Sequence, residues 1–211
     1  MDNRQAKSIV AAGYDRITAS YLRLVESGGM AVRDKYLALI CERVPAGSRV
    51  VELGCGAGVP MTRALAGRYD VVALDISAGQ LTHARANAPA ARLLRADIAC
   101  VPLADACADA VAAFYSTTHV PRDEHPAMLA GMMRIVRPGG IAVTTWGFTD
   151  NPSDYDDNWL GAPMFFSHFD AATSDALVRA AGFTVLSSQD EQEQEYDRPM
   201  SWRWIVAQRP A

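Results

Sequence analysis

Apolar and polar positions change rhythm three times along the chain. Over residues 3–26, Ile9, Ala12, Ile17, Tyr21, Leu22, Leu24 and Val25 recur at three- and four-residue steps, the period of an amphipathic helix, with Gly13 as a candidate break. Gly28-Gly29 is read as the stop of this segment. A second helical face follows in Val32, Tyr36, Leu39, Ile40 and Val44, closed by Pro45-Ala46-Gly47. From Arg49 short apolar runs alternate with helical patterns. Strands are predicted over 49–53, 70–75, 92–96, 108–115 and 141–146, and helices over 60–67, 77–88 and 123–136. Ser77 is the N-cap of the second of these helices, and Arg137-Pro138-Gly139-Gly140 stops the third. Such alternation implies βαβ units and a parallel sheet. The rhythm breaks at Gly147. Residues 147–169, rich in Asp, Asn and Pro with scattered aromatic residues, predict a long loop. A helix over 170–181 ended by Gly182, a strand over 183–188, an acidic turn over 190–197 and a strand over 202–208 complete the chain as an antiparallel hairpin.

This pattern reads as one domain over residues 1–211. Residues 1–46 form a helical prefix or lid, and 47–146 a ligand-binding α/β half. Residues 147–169 form a capping loop, and 170–211 a closing helix and hairpin.

Composition narrows the class. Half of the 211 residues are apolar and 21% are charged, the balance of a globular chain. The formal net charge is −4 and Lys and Arg form no run, so a nucleic-acid partner has no electrostatic support. Cys41, Cys55, Cys100 and Cys107 form no Cys-x-x-Cys pair and sit at no metal-finger spacing with the histidines, which predicts free thiols and no metal site. The polar N-terminus and the lack of a long apolar run predict a cytoplasmic protein without a membrane partner.

The chemistry gathers at Val50-Val51-Glu52-Leu53-Gly54-Cys55-Gly56-Ala57-Gly58, an apolar strand running into a glycine turn. Glycine turns tightly and leaves room for a ligand at a strand's carboxyl end, where open α/β sheets bind small molecules. The spacing is G-x-G-x-G; the dinucleotide fingerprint needs a glycine where Val59 stands. Asp75 ends the next strand, 21 residues after Gly54, placed to accept from ribose hydroxyls. Turn and acid together imply a ribose-bearing cofactor, either a nicotinamide dinucleotide or S-adenosylmethionine.

Four blocks, V-V-E-L-G-C-G-A-G (50–58), A-L-D-I-S (73–77), A-D-I (96–98) and I-V-R-P-G-G (135–140), resemble the class I S-adenosylmethionine-dependent methyltransferases in order and spacing, over roughly residues 45–210. The resemblance implies a Rossmann-like seven-stranded sheet of order 3-2-1-4-5-7-6, its last strand antiparallel, with helices on both faces. It implies that Gly54, Cys55, Gly56 and Gly58 border the methionine part of S-adenosylmethionine and of its product S-adenosylhomocysteine. Glu52 would hold the amino group, and Asp75 the ribose with Ile76 against the adenine. Asp97 and Ile98 would read and sandwich the ring, and Tyr115 would sit near the methionine end. The chain lacks an Asn/Asp-Pro-Pro-Tyr block after the fourth strand and an acidic metal ligand there. The absences disfavour methylation of amide or exocyclic nitrogens and a metal-dependent type, while the helical prefix and long loop resemble those of small-molecule methyltransferases. The acceptor is expected to be a small molecule and the protein a monomer or homodimer.

Methyl transfer from a sulfonium needs a base only when the nucleophile arrives protonated. His119, four residues beyond the strand tip, is the first candidate and His168 the second; His83 and His125 read as surface positions on helices. Tyr14, Tyr21, Trp146, Tyr155, Trp159 and Phe166 are candidates for the acceptor pocket. Asp150, Asp154, Asp156 and Asp157 could attract a cationic acceptor. Two other readings stay open: a nucleotide-dependent oxidoreductase on a Rossmann sheet, and a non-catalytic module that kept the cofactor site.

Overall fold

The computed structural model describes residues 1–27, 31–195 and 198–211. The stop read at Gly28-Gly29 and the end of the acidic turn at 196–197 lie outside the described residues. Helices α1 (Asn3–Ser27) and α2 (Ala31–Arg43) precede the sheet. Then come β1 (Arg49–Leu53), α3 (Met61–Ala66), β2 (Asp70–Asp75), α4 (Ala78–Asn87), β3 (Arg92–Arg95) and β4 (Ala108–Ala113). The chain continues through α5 (His125–Ile135), β5 (Val136–Gly147), β6 (Asn151–Trp159), β7 (Ala162–His168), α6 (Ala171–Ala180), β8 (Thr184–Glu195) and β9 (Arg198–Gln208).

Seven strands form one sheet in the order β3-β2-β1-β4-β5-β9-β8. The first five are parallel, and β9 runs antiparallel between β5 and β8. Counted within the sheet this is the expected 3-2-1-4-5-7-6. Val50, Val51 and Leu53 on β1 are fully buried, as a strand covered on both faces requires. One face packs on α5 and α6 through Met128, Leu129, Met132, Ile135 and Val178. The other packs on α2 and α3 through Tyr36, Ile40 and Leu65, with Tyr36 stacked on Trp204 at 4.0 Å.

Three expectations are corrected. Residues 147–169 are not a loop: β6 and β7 pair as a separate two-stranded hairpin. Gly13 does not break α1; a Cβ there would sit 2.6 Å from the Pro163 carbonyl oxygen, so glycine lets the helix approach β7 closely. The stretch 190–195 continues β8 and pairs with β9 rather than turning.

α1 lies against β7, and Ala6, Val10, Ile17, Ala162, Met164 and Phe165 form a third buried cluster there. Among the described residues, no helix is long and apolar enough to cross a membrane.

Candidate active site

The turn after β1 is bound to the tip of β2: the N–H groups of Gly54 and Cys55 both donate to the Leu74 carbonyl, at 2.8 and 2.9 Å. Gly54, Gly56 and Gly58 all take positive φ, of 79°, 54° and 80°. Gly54 and Gly56 face a cavity, whereas Gly58 packs away from it, where a Cβ would meet the Ala84 Cα at 2.9 Å. Asp75 binds the turn through both oxygens. Oδ2 accepts from the Gly56 N–H at 2.8 Å and Oδ1 from the Ser77 N–H at 2.9 Å. Burial pushes its carboxyl up to about 6, against the pull of these backbone N–H groups. Each oxygen keeps a lone pair for a ligand hydroxyl.

A cavity of about 70 Å³ lies above this turn. Asp75, Ile76, Asp97, Ile98, Tyr115 and His119 line it, and α1 roofs it through Lys7, Val10, Tyr14 and Tyr21. Lys7 was not foreseen. Its ammonium donates to Asp97 Oδ2 at 2.6 Å and pairs with Glu124. Burial pulls the Lys7 ammonium down, but the two carboxylates outweigh it and hold it above its ordinary value. Asp97 therefore already has a partner across the cavity; its other oxygen accepts from the Ala99 N–H at 2.9 Å. A second clamp holds α1 at Asp15, whose Oδ1 accepts from Ser77 Oγ at 2.6 Å and from the Gly79 N–H at 2.7 Å.

Glu52 and Cys55 do not line the cavity. Glu52 is 3% exposed beneath the turn, its Oε2 has no hydrogen-bond partner among the described residues, and burial pushes its carboxyl up to about 8. Cys55 is buried in the cluster with Met61 and Val71, and burial pushes its thiol up as well.

A larger cavity of about 260 Å³ adjoins the first, and Tyr14, Tyr21, Tyr115 and His119 line both. Tyr115 takes φ 57°, in the left-handed region. Its hydroxyl donates to Glu193, and the Arg33 guanidinium lies 4.4 Å above its ring. His119 is fixed through both ring nitrogens. Nδ1 lies 2.9 Å from the Phe165 carbonyl, which can only accept, so Nδ1 carries the proton. Nε2 then accepts from the Tyr14 hydroxyl at 2.8 Å. Burial lowers His119 to about 4, so the imidazole is neutral near pH 7.

Trp159 and Phe166 line the second cavity, and so does His168, whose Nδ1 donates to the Thr149 carbonyl at 2.7 Å. Trp146 is corrected to a core residue: it is fully buried, with its indole N–H on Thr144 Oγ1 at 2.7 Å. Tyr155 is 49% exposed and lines neither cavity. His125, read as a surface residue, is fully buried against Trp146, with Nε2 donating to the Val120 carbonyl at 3.1 Å. His83 is exposed.

Among the described residues, no group of His, Cys, Asp and Glu is arranged to hold a metal ion.

Residues 50–140 match the model of a methyltransferase domain family. The malonyl-[acyl-carrier protein] O-methyltransferase of Pectobacterium atrosepticum is 36% identical over 137 residues, covering 64% of this chain and 51% of that one. The demethylmenaquinone methyltransferase of Renibacterium salmoninarum is 30% identical over 136 residues, covering 64% and 56%. The chain thus spans about half the length of the curated relatives it matches. Among solved structures, magnesium protoporphyrin IX methyltransferase from Synechocystis with bound S-adenosylhomocysteine superposes with a TM-score of 0.74. It is 16% identical and covers 97% of this chain and 99% of that one.

Proposed function

We propose that this chain is an S-adenosylmethionine-dependent methyltransferase that transfers a methyl group to a small-molecule acceptor without a metal. The observation that carries this reading is the pair of cavities sharing the Tyr14, Tyr21, Tyr115 and His119 wall. A donor in the first and an acceptor in the second would meet at that wall. Holding the two at near-attack distance is worth roughly 7–11 kcal/mol of a displacement barrier.

The residues of the first cavity fit S-adenosylmethionine. Gly54 and Gly56 leave backbone bare beside it, and Asp75 presents a buried carboxylate with free lone pairs to ribose hydroxyls. Ile76 and Ile98 offer apolar faces to a flat ring, and Asp97 an acceptor for its amino group. Glu52, with an unpartnered buried oxygen, would hold the amino group through water. When bound, the cofactor supplies an activated methyl on a sulfonium with a neutral leaving group. The chain's own part in the chemistry is proton removal. As an acceptor O–H or N–H loses its proton, the Tyr14 oxygen takes it while passing its own proton to His119 Nε2. Phe165 holds the opposite edge of the imidazole in the tautomer this requires. His168 lies across the acceptor cavity and orients the acceptor.

Residues 1–46 then act as a lid and 47–146 as the cofactor half. The segment 147–169 caps the acceptor, and 170–211 closes the sheet of one domain. Four free cysteines support a cytoplasmic setting, and the protein acts as a monomer or homodimer. Calorimetry with S-adenosylmethionine and S-adenosylhomocysteine tests the assignment, followed by product analysis with methyl-labelled cofactor and a metabolite extract. Undetectable binding of both ligands at millimolar concentration would sink it; binding without turnover would favour a non-catalytic module.

A further inference from the structure

Resting on that reading, we propose that the second cavity selects a flat, amine-bearing acceptor that enters as a cation. The wall on one side is aromatic. Tyr14 meets Tyr21 edge-on at 5.2 Å and Trp159 at 5.8 Å, and Trp159 meets Phe166 at 5.5 Å. Such a surface packs against a planar molecule and attracts a cation to its ring faces.

The charges around it come from two strands in different sheets. On β6, successive side chains alternate between faces. Asp154 and Asp156 fall on the cavity side, and Tyr155 between them points to solvent. Neither aspartate forms an ion pair among the described residues. The neighbouring Asp150 does, with Arg122 at 2.8 Å, and so does not contribute. From β8, Glu193 faces the same cavity. One of its oxygens accepts from Tyr115; the other, Oε1, is buried with no hydrogen-bond partner among the described residues.

Against these three carboxylates stands Arg33, stacked on the Tyr115 ring. Two histidines, His119 and His168, also line the cavity, and His119 is neutral. An anionic acceptor would meet net repulsion, and one without a hydrogen-bond donor would leave Glu193 Oε1 buried and unpaired. An ammonium gives that oxygen a donor and is drawn in by the acidic rim. The Tyr14–His119 pair lies on the wall shared with the cofactor cavity, where an amine that is itself methylated would lose its proton.

The test uses three ligands of one shape: phenethylamine, 2-phenylethanol and phenylacetate. Each is titrated by calorimetry into the protein saturated with S-adenosylhomocysteine. Exposed ion pairs contribute little singly, so the three carboxylates together should favour amine over alcohol by about tenfold, equal to about 1.4 kcal/mol. Phenylacetate should bind more weakly than both. Combined Asp154→Asn and Asp156→Asn substitution should remove most of the preference, with S-adenosylhomocysteine affinity on the same variant reporting that the fold is intact. If the variant fails to fold, wild-type protein at rising salt serves instead, because the preference of exposed charges shrinks with screening. Equal or tighter binding of the alcohol or the acid, or no binding of the amine at millimolar concentration, overturns the proposal. Failure to bind S-adenosylhomocysteine at the first step overturns the methyltransferase reading instead.

Discussion

Gly54→Ala probes the contact between turn and cavity most directly. Alanine at φ 79° incurs a backbone penalty of about 1 kcal/mol. The added methyl would also land 2.3 Å from Ser116 Cβ and 2.8 Å from its Oγ. Ser116 cannot withdraw freely, because its hydroxyl donates to the Leu53 carbonyl at 2.7 Å. Losing that bond costs about 1 kcal/mol, and crowding of this kind adds about 1–3 kcal/mol. The expected destabilisation is therefore about 3–5 kcal/mol, a large part of a domain's stability. Urea denaturation reads it as a lower midpoint at unchanged slope. Gly54 and Ser116 both line the first cavity, so S-adenosylhomocysteine affinity should also fall, by about tenfold or more. Adding Ser116→Gly relieves the clash and should recover the crowding part, about 1–3 kcal/mol, leaving the backbone penalty and the lost Leu53 hydrogen bond. A single variant within about 0.5 kcal/mol of wild type would refute the close approach described here.

Other outcomes follow from the same geometry. Trp146→Ala should cost about 3–5 kcal/mol by thermal denaturation, whereas Tyr155→Ala should stay within about 0.5 kcal/mol, because one side chain is fully buried and the other half exposed. His119→Ala should slow turnover by about 10²–10⁴-fold in single-turnover assays and leave cofactor affinity in place; a full rate would return His119 to a packing role. Glu52, raised to about 8, keeps its proton in the folded state after the unfolded chain has lost it. Its contribution is full below the ordinary carboxylate range and is lost as pH rises toward 8. Unfolding free energy should thus fall by roughly 1–2 kcal/mol between pH 6.5 and 8, and Glu52→Gln should flatten that slope in urea titrations at each pH. His119 and His125, each lowered to about 4, act with the opposite sign below pH 6.5.

The parallel half of the sheet was readable because its strands are buried on both faces, so Val71–Leu74 is a continuous apolar run and Val50–Leu53 is interrupted only by Glu52. The β6–β7 hairpin lacked that signal. Residues 152–158 are exposed and mostly polar, and most of the hairpin's apolar side chains lie on the partner strand. The outer end of β8 was hidden for a related reason: Asp190–Gln194 lies at the edge of the sheet, where charged residues are suited and local propensity points to a turn. At the site, Gly54, Gly56, Asp75 and Asp97 were legible because their spacing is local to two strand tips. Lys7 was not. A lone lysine on a helix becomes informative only once that helix is laid over Asp97. His125 gave a helical period and no depth, since its burial comes from Trp146, on the strand that follows its helix.

The buried cluster between α1 and β7 has a consequence of its own. Its apolar residues come from α1 and the hairpin, separate from the clusters on either side of the main sheet. A segment with its own apolar interior opens as one cooperative piece, at a free energy below that of global unfolding. Polar fasteners at Asp15, Lys7 and Tyr14 attach this piece to the rest of the molecule. Amides of α1 and β7 should therefore exchange with solvent at a common rate, faster than those of β1 and β4. The chain would admit its ligands by releasing a preassembled roof, with the order of the strands beneath left undisturbed.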